Sequence, residues 1–142
     1  MTTAARRKPK TKAKTFEDVL SNWSTHVPPD MKDELPRDKI LDAFLRLFED
    51  LTTSQITQLP PRTKWREILA PAVRWQWVAL NISGPPVLNT IAPSILTLAA
   101  VRWLEVWQTD ETQGKSRLMA TLDRDLDKLH TAVQYFLQLR TV

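Results

Sequence analysis

Residues 115–139, KSRLMATLDRDLDKLHTAVQYFLQL, decide the fold class. Leu122, Leu126, Leu129, Val133 and Phe136 recur at alternating steps of four and three. Leu118, Met119 and Leu137 widen the stripe, while Arg117, Asp123, Arg124, Asp127 and Lys128 take the other faces. Such steps return to one side of an α-helix, so the stretch predicts a long amphipathic helix forming the seam of a bundle. No part of the chain combines period-two alternation with β-branched residues, and no internal repeat is present. The expectation is an all-α fold, a single helical bundle of about five to six helices.

Outward from this helix, Gly114 closes a loop that begins near Thr109. A fourth helix is expected from about Val87 to Trp107, with Pro93 threatening its first half, and the Ser83-Gly84-Pro85-Pro86 cluster reads as a turn before it. A third runs from about Thr63 to Ile82, offering Trp65, Ile68, Leu69, Ala72, Val73, Gln76, Trp77 and Leu80 for burial. Pro71 should kink or divide it. Thr52 to Pro61 is polar and reads as a loop. A second helix starts around Pro36, a residue tolerated in the first turn, and carries Ile40, Leu41, Phe44, Leu45, Phe48 and Leu51 on one face. The first is capped by Thr15, has Glu17 and Asp18 in its first turn, sets Phe16, Val19, Leu20 and Trp23 along one stripe, and ends near His26.

No charged residue occurs from Trp75 to Val101. The central turn splits that run into pieces shorter than the ~20 apolar residues a bilayer-spanning helix requires. Two buried helices of a core are therefore expected, with no transmembrane segment.

Charge is unevenly spread. Arg6, Arg7, Lys8, Lys10, Lys12 and Lys14 crowd the start of the chain without an acid among them, whereas the remainder is slightly acidic although the whole carries +4. Residues 1–14 thus read as a disordered basic arm and 15–142 as the helical domain. Such an arm can bind phosphates of nucleic acid or anionic lipid, or an acidic partner, with salt-sensitive affinity. It has no apolar core of a secretory signal, and the chain has no cysteine, which fits a cytoplasmic location.

The supply of catalytic groups is thin. His26 and His130 lie far apart, and the pairs Glu49 with Asp50, Asp110 with Glu111, and Asp123 with Asp127 flank loops or sit on a solvated helix face. There is no Gly-rich phosphate loop, nucleophile elbow, Glu-x-x-His pair or His-Glu-x-x-His segment, so neither an enzyme nor a metal or other cofactor is expected. The six tryptophans carry more information. Trp75 and Trp77 are two apart and cannot share a helix face, so one can enter the core while the other meets a ligand, a partner or water. Trp103 and Trp107 are four apart and share one.

Two segments resemble a known family: Leu35-Pro36-Arg37-Asp38-Lys39-Ile40-Leu41-Asp42-Ala43-Phe44-Leu45 with its continuation to Leu51, and Leu98 to Trp107 leading through Asp110-Glu111-Thr112 to Met119-Ala120-Thr121-Leu122-Asp123-Arg124-Asp125-Leu126. A helix ending in tryptophan, a short acidic loop and a Leu-Asp-Arg helix resemble the C-terminal ligand-binding and dimerisation domain of tetracycline-repressor-type proteins, in the branch of the lipid-binding accessory protein of coenzyme Q (ubiquinone) biosynthesis. The resemblance implies a homodimer built on Ala99, Ala100, Trp103, Leu104, Leu122, Leu126 and Leu129. It also implies an apolar pocket lined by Trp75, Trp77, Val78, Leu80, Ile91, Ile95 and Leu98. Where those regulators carry a three-helix DNA-reading unit, this chain has the arm and one helix, so sequence-specific operator binding is not expected. Two functions follow as expectations: a non-catalytic dimeric domain binding a lipid- or isoprenoid-like molecule, or a scaffold or repressor-derived regulator whose arm docks on nucleic acid or an acidic partner.

Overall fold

A computed structural model describes residues 14–28, 35–82 and 84–141. Five α-helices make up the fold, α1 (Phe16–Thr25), α2 (Pro36–Thr53), α3 (Trp65–Leu80), α4 (Pro86–Thr109) and α5 (Ser116–Thr141), and the described residues contain no strand. The all-α bundle expected from the apolar spacing is thus the observed architecture.

Local chemistry sets the helix ends. Thr15 and Asp18 form a reciprocal capping box at α1, Thr15 Oγ1 accepting from the Asp18 amide at 3.1 Å and Asp18 Oδ2 from the Thr15 amide at 3.0 Å. Pro36 opens α2 and Pro86 opens α4, positions where a missing N–H costs nothing. Asn81 ends α3 in the left-handed region at φ 51°, and Gly114 turns the chain into α5 at φ 66°. A Cβ at Gly84 would lie 2.8 Å from Leu88 Cδ2, so a side chain there would make the tip of Leu88 shift.

α3 and α4 run on through Pro71 and Pro93 without a break. Each proline removes one i→i−4 bond, freeing the carbonyl of Glu67 or Asn89, and both of those residues are exposed to water. The expected division of α3 does not occur for that reason.

The core is aromatic at its centre. Phe44 meets Trp23 at 5.2 Å between ring centroids and Trp103 edge-on at 4.9 Å, which ties α1, α2 and α4 together. α5 lays Leu118, Leu122 and Leu126 against this layer, all buried. The side chains of Phe136 and Leu137, placed on the same stripe by sequence, lie outside the described residues.

The seam residues pack within the chain. Ala100, Trp103, Leu104, Leu122 and Leu126 are buried within one chain, and Ala99 and Leu129 are half-buried against the same core.

By length and composition α4 is apolar enough to cross a membrane, and 33% of its most apolar stretch is buried. That low share leaves much of the helix facing outward.

Candidate functional site

An apolar cavity opens where four helices meet. Pro36 and Ile40 of α2, Trp77 at the end of α3, Leu88, Ala92 and Ile95 in the first half of α4, and Leu126, Leu129 and Val133 of α5 line about 90 Å³. It exists because α4 presents only small or slender side chains there, while Pro36 begins α2 without a bulky residue facing them. Trp77 forms one wall and is fixed by its indole N–H, which donates to Asn89 Oδ1 at 2.9 Å. An engineered apolar cavity of about 150 Å³ holds benzene, so a longer molecule here would bury one end and lie along the open side.

Two polar side chains stand at the rim, Arg37 and His130. Arg37 is already engaged. It pairs with Asp123, lies 2.5 Å from Asp127 Oδ1 and 3.1 Å from Asp38 Oδ1, and donates to the Asp123 carbonyl at 3.1 Å. The hydrogen bond to Asp123 is the main reason its guanidinium is held above its ordinary pKa. Asp123 and Asp127 stay on the exposed face of α5, as their i, i+4 spacing suggested, and from there clamp the first turn of α2 through Arg37. With its charge matched, Arg37 leaves the cavity an apolar chamber rather than an anion site.

The expected pocket residues divide. Trp77 and Ile95 line the cavity, and Leu80 is buried in the core. Trp75, Val78, Ile91 and Leu98 are exposed, Trp75 and Val78 both at 65%, and do not line it. Sequence reasoning missed Pro36, Ile40, Leu88, Ala92 and Val133. The proximity of the α2 start to α5 was the missing information, and no local pattern in the sequence carries it. Of the basic arm, Arg6, Arg7, Lys8, Lys10 and Lys12 lie outside the described residues, while Lys14 is exposed and sits 3.9 Å from Asp50 Oδ1.

Two further polar centres are structural. Asp110 is 1% exposed and caps α5, accepting from the Leu118 amide at 2.7 Å, the Thr112 amide at 2.9 Å and the Thr112 hydroxyl at 2.5 Å. Desolvation pushes its carboxyl up, but those three bonds and the charge of Arg117 outweigh it and hold the pKa at about 2. Lys115 closes the other side, its ammonium donating to the carbonyls of Trp107 and Asp110 at 3.1 and 2.6 Å. Gln76, 1% exposed, donates to the Trp23 carbonyl at 2.6 Å and accepts from Arg46 Nη2 at 2.9 Å. Burial lowers the Arg46 pKa, with Asp42 opposing.

Among the described residues no group of three or more His, Asp or Glu side chains could hold a metal ion. Neither histidine has a carboxylate or hydroxyl placed to form a catalytic pair in the contacts above. The site can enclose apolar matter. No family model, curated protein or solved structure matches the chain.

Proposed function

We propose that the chain is a non-catalytic binding domain that takes one end of an apolar molecule, an acyl or isoprenoid-like chain, into the cavity between α2, α3, α4 and α5. The observation that carries this reading is the cavity itself: an apolar wall on every helix, one indole held by a hydrogen bond, and a rim arginine whose charge is already matched. Such a site selects for shape and greasiness, since a charged head near Arg37 would compete with Asp123 and Asp127 for the same donors.

The reading is tested on the purified full chain by native mass spectrometry with solvent extraction, and by titration with a C10 alkanol followed through tryptophan emission. Ala92→Leu fills the chamber from α4 with added carbon atoms. Co-purifying or titratable apolar ligand in the parent, lost in Ala92→Leu with the fold intact by circular dichroism, is the expected result. Equal binding by both proteins would place the ligand elsewhere and end the proposal.

A further inference from the structure

The exposed residues that miss the cavity form a surface of their own. Trp75 and Val78 stand on the outer side of α3, with Pro71 one turn before them, at steps of four and three. On α4, Ile91 and Leu98 are seven apart and also exposed. The two helices are joined by a short turn and Trp77 bonds to Asn89 across it, so they form an antiparallel hairpin with Trp75, Val78 and Ile91 near its turn end, while Leu98 lies at mid-helix. Val27, 73% exposed, lies beside the same end of α3, because Gln76 holds the His26 carbonyl at 3.2 Å.

Charge on this hairpin has one sign over most of its length. From Ile68 to Leu104 the only charged residues are Arg74 and Arg102. Both are exposed, and Arg102 also lies 3.3 Å from Asp125 of α5. The bounding acids, Glu67 and Glu105, sit at the open end of the hairpin, away from the turn. A second copy of this face would set Arg74 against an arginine with no acid to answer it, so self-association is disfavoured. An exposed indole, flanking aliphatic side chains and arginines at the edge match an interface of hydrocarbon and anionic headgroups.

We propose that the turn end of the α3–α4 hairpin docks on an anionic lipid bilayer, with Trp75, Val78 and Ile91 entering the headgroup region and Arg74 meeting lipid phosphate. On α4 the docked Ile91 borders the cavity, because Ile95, which lines it, is one turn further along the helix. Docking does not depend on the cavity being filled.

The test uses the full chain and vesicles of phosphatidylcholine with or without about a third phosphatidylserine, some carrying brominated acyl chains. Five of the six tryptophans are buried, which leaves Trp75 as the indole that bromine can quench. Expected are sedimentation with the anionic vesicles and quenching that disappears in Trp75→Phe. Affinity should fall about tenfold or more in Trp75→Glu and in Ile91→Glu, each folded by circular dichroism, as the loss of one buried apolar side chain implies. A chain with Arg6, Arg7, Lys8, Lys10 and Lys12 all changed to Gln should keep the quenching at reduced affinity. Sedimentation without quenching, binding that survives both glutamates but not the arm changes, or capture of an acidic protein with no vesicle binding would each overturn the proposal. Ala92→Leu should sediment like the parent, so failure of the cavity reading and failure of this one remain distinguishable.

Discussion

The two halves of α4 differ more than their sequences suggest. In residues 86–98 the buried side chains are Pro93, Leu96 and Thr97, while Ile91 and Leu98 face outward and Leu88, Ala92 and Ile95 line a hollow. In residues 99–109, Ala100, Trp103, Leu104 and Trp107 are all buried, and both indoles donate hydrogen bonds, to Asp125 Oδ2 and Thr52 Oγ1, each at 2.9 Å. The first half carries no charge at all and yet is the more exposed. Hydrophobicity alone therefore does not decide burial along this helix. What stands opposite does: Trp103 and Trp107 find acceptors on α5 and α2, whereas the first half borders a hollow and water.

That contrast can be broken most severely at Trp103, which is 0% exposed and packs edge-on against Phe44. Trp103→Ala should cost about 3–5 kcal/mol in urea unfolding. A loss below about 1 kcal/mol would mean the second half is no better packed than the first. The junction after α4 gives the next effect. Asp110 has its carboxyl held at about 2 against an ordinary 3.8, so its contribution is complete above that ordinary value and drains away as pH falls toward 2. Asp110→Asn should flatten the acid limb of stability in that window, measured by thermal unfolding at stepped pH. In the first half, Ile95→Ala removes atoms beside a space that is already hollow and should cost about 1 kcal/mol, well short of the ~2–5 kcal/mol typical of a filled core. Smallest of the four is Arg37→Ala. Its partners Asp123 and Asp127 are more than half exposed, so the clamp should contribute no more than about 1 kcal/mol and fade in high salt, read from denaturation at two ionic strengths.

Much of this was legible in the sequence. The five helices follow from apolar steps of three and four, and the opposed fates of Trp75 and Trp77, one exposed and one buried, follow from their spacing of two. Thr15, Pro36 and Gly114 marked helix ends because their chemistry is local. What could not be read was any pairing between distant segments. Arg37 meets Asp127 across 90 positions and Asp123 across 86, and no local pattern links them. The stripe of α5 gave its own existence but not its audience, since an apolar seam looks the same whether it faces its own chain or another. The prolines misled because the carbonyls they release are exposed, a property of the folded arrangement.

Five indole N–H groups work as index marks. Trp23 donates to Ala43 O, Trp65 to Pro60 O, Trp77 to Asn89, Trp103 to Asp125 and Trp107 to Thr52. Between them they fix α1 on α2, α3 on the loop before it and on α4, and α4 on both α5 and α2. Apolar helices can slide past one another by a turn, about 5.4 Å, and still bury similar area. Such a slip would strand each of these donors in a dry interior at roughly 1–3 kcal/mol apiece. The tryptophans therefore do for alignment what their carbon skeletons alone do not: they make one vertical setting of each helix the right one.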